Sequence, residues 1–264
     1  VTSRYAVIEL VLRQGSFAAD VATAKAAGLG GIGVDAGTVD KLGVDEARRI
    51  LDGEGIKASS YVGLDAILQR DRTASLDEAA RRLEIAAALG APGAVLVTGS
   101  ARGLAAADAE KLCREWLGRA GPLAASCGVQ IMLEPIHPIM RHLSFVHTLA
   151  HGLELTASIE GVGIVLDVGH VWWEPGLEAL IRDHVGDIVS VQLTNVDSGL
   201  LKKLTYERAP FESGDVPVAA LTRLLETSGY RGWYENEVLV RTRRDERQDQ
   251  LRASREWFDG LGVQ

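Results

Sequence analysis

Residues whose types could do chemistry gather in the second half of the chain, each at the end of a short apolar run. In "VQIMLEPIHP" (129–138), Val129, Ile131 and Leu133 give a strand pattern that stops at Glu134, with His137 just beyond. Pro135 has no N–H with which to continue a ladder. "IVLDVGH" offers Asp167 and, three residues on, His170; "VSVQLTN" offers Gln192; "WYENEVL" offers Glu235 and Glu237. A carboxylate closing an apolar strand is expensive to bury alone, so it is either hydrogen-bonded or part of a site. Three of them beside an amide oxygen would repel one another unless a cation or shared protons intervened. A set of Glu, Asp, Gln and Glu suits Mn²⁺ or Mg²⁺ and can accept Co²⁺, and it lacks the thiolates and histidine clusters of structural zinc. Strand alternation turns Glu235 and Glu237 to the same side, so the pattern does not choose between them.

Such residues meet only if the strands that carry them share one mouth. Short β-rich runs alternate with longer helical ones throughout: strands are expected at Tyr5–Leu12, Gly31–Asp35, Ile56–Tyr61, Ala94–Thr98, Val129–Glu134, Gly163–Asp167, Ile188–Leu193 and Gly232–Val238. Helices are expected at Phe17–Ala27, Val44–Asp52, Ser75–Leu89, Ala105–Ser126, Phe145–Ile159, Leu177–His184, Val216–Ser228 and Asp245–Phe258. Gly28, Gly55, Gly90, Gly128, Gly186 and Gly229 sit where helices should terminate in a left-handed residue. Eight βα units in a row predict a single (β/α)₈ TIM barrel filling residues 1–264, in which polar strand ends converge on one face. No G-x-G-x-x-G follows the first strand, so a dinucleotide-binding open sheet is not favoured.

The 264 residues are 47% hydrophobic, enough for one large core. A formal charge of −8 argues against nucleic-acid and membrane-surface partners, which select basic faces. With no apolar run long enough to span a bilayer and no signal-type start, a cytoplasmic protein is expected. Cys113 and Cys127 share one helical segment and suggest neither a disulfide framework nor a zinc knuckle.

The strings "MLEPIHP", "IVLDVGHVWWEP", "VSVQLTN" with "RAPFESGDVP", and "SGYRGWYENEVL" together resemble the xylose isomerase-like TIM-barrel superfamily, in its sugar phosphate isomerase/epimerase branch. The resemblance covers most of the chain. It implies that Glu134, Asp167, Gln192 and Glu237 are ligands of one divalent metal ion, with Gln192 where many members carry His. Counting from Tyr230 selects Glu237 over Glu235, which becomes a deeper barrel residue or a partner behind the ligands. The resemblance also implies Glu134 and Glu237 as the acid/base pair, and His137, His170, Arg208 and Trp172 as groups near the substrate. The activity implied is isomerisation or epimerisation of a small sugar, keto-sugar or cyclitol through an enediolate, in a possible homo-dimer or tetramer. A lyase or dehydratase using the same enediolate, or a polyol-binding barrel without turnover, would share these residues. Phosphodiester hydrolysis, as in endonuclease IV relatives, fits poorly with six histidines and an acidic chain. His147 and His151 have zinc-compatible spacing but are expected on an outer helix face, and Arg241 or Arg243 could grip a phosphate after the last strand.

Overall fold

In the computed structural model, residues 3–13, 15–65, 68, 72–197, 199, 208–238 and 246–263 are described. The expected barrel is present. Its strands are β1 (Tyr5–Ile8), β2 (Gly31–Asp35), β3 (Lys57–Asp65), β4 (Gly93–Val97), β5 (Gln130–Leu133), β6 (Val162–Asp167), β7 (Ile188–Leu193) and β8 (Trp233–Asn236). All neighbours pair in parallel, and β8 closes on β1 through Tyr5↔Tyr234 and Ala6↔Glu235.

Alternation along each strand decides what lies inside. On β5 and β6, Ile131, Leu133, Ile164 and Leu166 face the helices as part of the main core, whereas Met132 and Val165 join Val95 in a separate apolar cluster in the lumen. Two residues beyond Met132 and Val165, on the same side, come Glu134 and Asp167. Apolar packing therefore ends where the carboxylates begin.

Several element boundaries differ from expectation. β1 stops at Ile8, and Glu9–Leu12 turns into a short helix. The Glu9 carboxylate accepts hydrogen bonds from the Asp35 N–H (2.8 Å) and the Thr38 hydroxyl. It is thus occupied at the start of an unanticipated helix, Ala36–Leu42. The helix expected from Phe145 begins at Leu149, because the Thr148 hydroxyl accepts from the His151 N–H and Glu174 accepts from the N–H groups of Leu149 and Ala150. His147 lies outside that helix, its Nδ1 against the Ile136 carbonyl at 2.8 Å, so the His147/His151 spacing is not a helical one. Gly186 sits within a 3₁₀ turn, Val185–Asp187, rather than in the left-handed conformation expected of it. Arg241 and Arg243 lie outside the described residues. No described helix is long and apolar enough to cross a membrane.

Candidate metal centre and active site

Glu134 sits where β5 ends: its N–H still donates to the Leu96 carbonyl of β4 (3.0 Å), and Pro135 stops the ladder there. Asp167 ends β6 and caps the short helix Val168–Val171 by accepting the Gly169 N–H at Oδ1 (2.8 Å). That capping bond fixes the carboxylate plane and leaves Oδ2 facing the mouth. Oδ2 accepts the Thr194 hydroxyl (3.1 Å) and lies 3.4 Å from His170 Nε2. Glycine is needed at 169, since a Cβ there would approach Thr194 Cγ2 to 2.6 Å. The same His170 nitrogen is 3.5 Å from Glu134 Oε1. Potential ligand atoms of Glu134, Asp167 and His170 all fall within 4.8 Å of one another, and the three residues are buried.

Gln192 pairs in register with Asp167 on one side and Glu235 on the other, so the three side chains share a level in the barrel. Glu237 stands two residues further along, its N–H bonded to the Leu193 carbonyl (3.1 Å). The choice that alternation left open is thereby resolved by depth. Glu235 is fully buried, accepting the hydroxyls of Ser59 and Ser60 at 2.6 Å and of Ser190 at 3.4 Å, while Glu237 stands nearer the mouth.

Arg208 completes the cluster. Its Nη1 is 3.2 Å from Asp167 Oδ2 and its Nη2 3.5 Å from Glu237 Oε1. It is held there by a two-stranded antiparallel ribbon, Asn195–Val196 with Arg208–Ala209. The Asn195 amide fastens the following loop, donating to the carbonyls of Pro210 and Phe211 and accepting from the N–H groups of Val196 and Val216. Thr194 and Asn195 were not anticipated as site residues; the signal available was two polar residues directly after Leu193, where the strand ends.

The electrostatics are those of an acidic site. Burial, then repulsion from Glu237 and Asp167, raises the Glu134 carboxyl well above its ordinary value, with Arg208 opposing. Burial likewise pushes Glu237 up to about 8, again opposed by Arg208. Burial pulls His170 down to about 4, against the pull of Asp167, so its ring is neutral at physiological pH and able to act as a ligand or hydrogen-bond partner.

Of the expected substrate contacts, Trp172 lies elsewhere and His137 carries a second task. Trp172 packs against the core and lines a groove with Leu177, Pro217 and Leu221, outside the acidic cluster. Trp172 is the C-cap of the helix Val168–Val171 and Trp173 follows it in the turn, so the two adjacent rings have different surroundings. Trp173 is the one beside the site residues: its indole donates to the His170 carbonyl (2.8 Å), and its ring meets His137 edge-on at 5.8 Å. His137 is half-buried, and its Nδ1 accepts the Ile139 N–H (3.2 Å), capping the 3₁₀ turn Pro138–Met140. That bond gives His137 a local structural task beside any contact with a ligand.

A metal fits this donor set on two observations besides the crowding of charge. Gln192 Oε1 and Glu237 Oε2 are buried, yet neither has a hydrogen-bond partner among the described residues. Buried acceptors are seldom left unsatisfied.

A closed parallel barrel with acidic groups at the carboxyl ends of its strands defines the class of protein as a (β/α)₈ barrel with its candidate site in the usual place. The chain belongs to the xylose isomerase-like TIM barrel family, whose model matches residues 21–261. Among solved structures it is similar to protein SMc04130 from Sinorhizobium meliloti 1021, with 24% identity, 99% of each chain covered and a TM-score of 0.86. It is also similar to the 3-keto-D-glucoside 4-epimerase YcjR from E. coli (19% identity, 97% of this chain and 99% of that one, TM-score 0.81). A third is the IolI protein with a bound zinc atom (17% identity, 98% of each chain, TM-score 0.83). At these identities the likeness establishes the fold. No curated protein matches the sequence significantly.

Proposed function

We propose that this protein is a divalent-metal-dependent isomerase or epimerase that moves a proton next to the carbonyl of a small sugar, keto-sugar or cyclitol. The observation that carries this reading is the orphaned pair of buried acceptors, Gln192 Oε1 and Glu237 Oε2, beside the cluster of Glu134, Asp167 and His170. Glu134, Asp167, Gln192 and Glu237 would hold the ion, with His170 near enough to join them. The oxygen-rich set favours Mn²⁺ or Mg²⁺ and tolerates Co²⁺. The family assignment and the epimerase and zinc-containing protein among its structural neighbours support the same reading.

When bound, the ion supplies a Lewis acid that polarises the substrate carbonyl and stabilises the enediolate. The remaining steps belong to the side chains. A carboxylate whose proton affinity has been raised by burial is a better base than a solvated one, and its conjugate acid a usable donor, at neutral pH. Glu134 and Glu237 meet that requirement and are assigned as the acid/base pair. Arg208, facing both Asp167 and Glu237, is assigned to a substrate oxygen, its charge balancing the anion formed on proton loss. The neutral His170 ring is assigned to a substrate hydroxyl.

The test is incubation of the Mn²⁺-loaded protein with a panel of ketoses and keto-sugars in D₂O. Deuterium should enter at the carbon beside the carbonyl, in products otherwise unchanged in mass. Loss of water would make the protein a lyase, and no incorporation across a broad panel would sink the proposal.

Metal affinity should depend on pH in a fixed direction. Without an ion, Glu134 and Glu237 have raised folded-state pKa values and retain protons that binding must expel. Affinity for Mn²⁺ is therefore expected to climb from about pH 6 to about pH 8, by about tenfold per pH unit for each proton released. The same raised pKa values stabilise the metal-free fold below the ordinary glutamate range, and that stability is lost as pH rises through about 8. The rise in melting temperature on adding Mn²⁺ should grow over the same interval. Calorimetric titration across the range checks this, and a flat affinity would contradict it.

A further inference from the structure

Gln192 differs from a histidine ligand in one physical respect. The two ends of its amide have nearly the same shape, but one offers lone pairs and the other two N–H groups. Only one of the two orientations can face a cation, so a Gln at this position needs a partner that discriminates between them. Glu235 is that partner by place and by chemistry. It stands opposite Gln192 in the β7–β8 register, and both side chains are buried. The Glu235 oxygens accept the hydroxyls of Ser59, Ser60 and Ser190, so this group presents acceptors to its neighbours. Facing acceptors, the amide would turn its N–H groups toward Glu235, in keeping with an Oε1 that meets no described residue.

The surroundings of Glu235 are built around its carboxyl group. Pairing between β2 and β3 slips between Ile32 and Gly33, where the partners pass from Ala58 to Ser60. Ser59 is the extra residue in this bulge, which lets two consecutive serine hydroxyls reach the same carboxylate oxygen. Gly33 leaves the necessary room: a Cβ there would come within 2.9 Å of Glu235 Oε1 and 2.7 Å of Ser60 Oγ. With Ser190 as a third hydroxyl donor, the buried carboxyl group is satisfied by hydrogen bonds from side chains alone.

We infer that Glu235 is a positioning residue, which orients the Gln192 amide so that its oxygen faces the metal position. The inference rests on the metal reading above and adds to it a residue that does not itself touch the ion. Glu235→Met should weaken Mn²⁺ binding by about 10- to 100-fold, the usual effect of losing a group behind a ligand. With Gln192→Ala already present, the same substitution should change affinity by less than about threefold, since there is no longer an amide to orient.

The experiment is this double-mutant cycle, read by calorimetric titration with Mn²⁺ and with circular dichroism as the check on folding. An equal loss in both backgrounds would mean a general loosening of the barrel, and no loss in either would mean no role; each overturns the inference. Glu235→Gln, which can still accept the serine hydroxyls, is taken through the same cycle in case the methionine variant does not fold, and is judged by the same outcomes. An unsubstituted protein that binds no Mn²⁺ would overturn the metal reading and this inference together. Binding without coupling would overturn the role of Glu235 alone.

Discussion

Asp167→Asn is expected to weaken Mn²⁺ binding by more than about 100-fold, beyond the 10- to 100-fold typical of losing a group that only supports a ligand. The substitution is chosen because the asparagine oxygen can still accept the Gly169 N–H, so the cap of the Val168–Val171 helix survives. What changes is the other end of the group. In place of Oδ2 it presents an amide nitrogen toward Thr194, His170 and Arg208, and the guanidinium that stood 3.2 Å away loses an anionic partner. A stability loss of about 1–3 kcal/mol should accompany this, as for other buried charged groups left with a missing partner. Titration with Mn²⁺, alongside denaturant unfolding, measures both effects. Affinity within about threefold of the unsubstituted protein would remove Asp167 from the ligand set.

Glu237→Gln is expected to lower the rate of deuterium entry into substrate by about 10²- to 10⁴-fold, the range associated with a general acid or base. The variant keeps the shape of the side chain but cannot carry a proton between carbon and solvent. Its effect on rate should exceed its effect on affinity when both are measured at saturating Mn²⁺, because a ligand can be partly replaced by water and a proton carrier cannot. Below saturating Mn²⁺ the unsubstituted protein should also lose rate as pH falls below about 8, because the proton held by Glu237 in the metal-free state opposes metal binding. Exchange followed by NMR distinguishes the two roles. A variant retaining more than about a tenth of the rate would leave Glu237 as a ligand at most.

Much of this site is legible in the sequence because its signals are local. Glu134 announces itself through Pro135, and Asp167 through the three apolar residues before it. The barrel is legible because each strand is followed by a helical period of sufficient length. What could not be read depends on registration between distant segments. Glu235 and Glu237 share a side of β8, and only pairing with β7, together with the serines of β3, shows which one is deep. Glu9 reads as part of an apolar strand, yet it accepts a backbone N–H from a residue 26 positions away. Trp172 and Trp173 are equivalent in sequence and become different only when a helical turn sends them to different surroundings. Asn195 is one polar residue after a strand until the loop it fastens, up to Val216, returns to it.

All four proposed ligands and Arg208 come from β5 to β8 and the segment between the last two of these strands, while β1 to β4 contribute the glycine and serines under Glu235 and a Glu9 already occupied by its own neighbours. The two halves of the molecule therefore face different evolutionary constraints. On the proposed function, exchanging the segments that follow the first four strands between homologues should leave proton transfer intact, so new substrate preferences should arise on that side first. Chimaeras that take residues up to β4 from one relative and the rest from another offer a direct route to redirected selectivity with the chemistry unchanged.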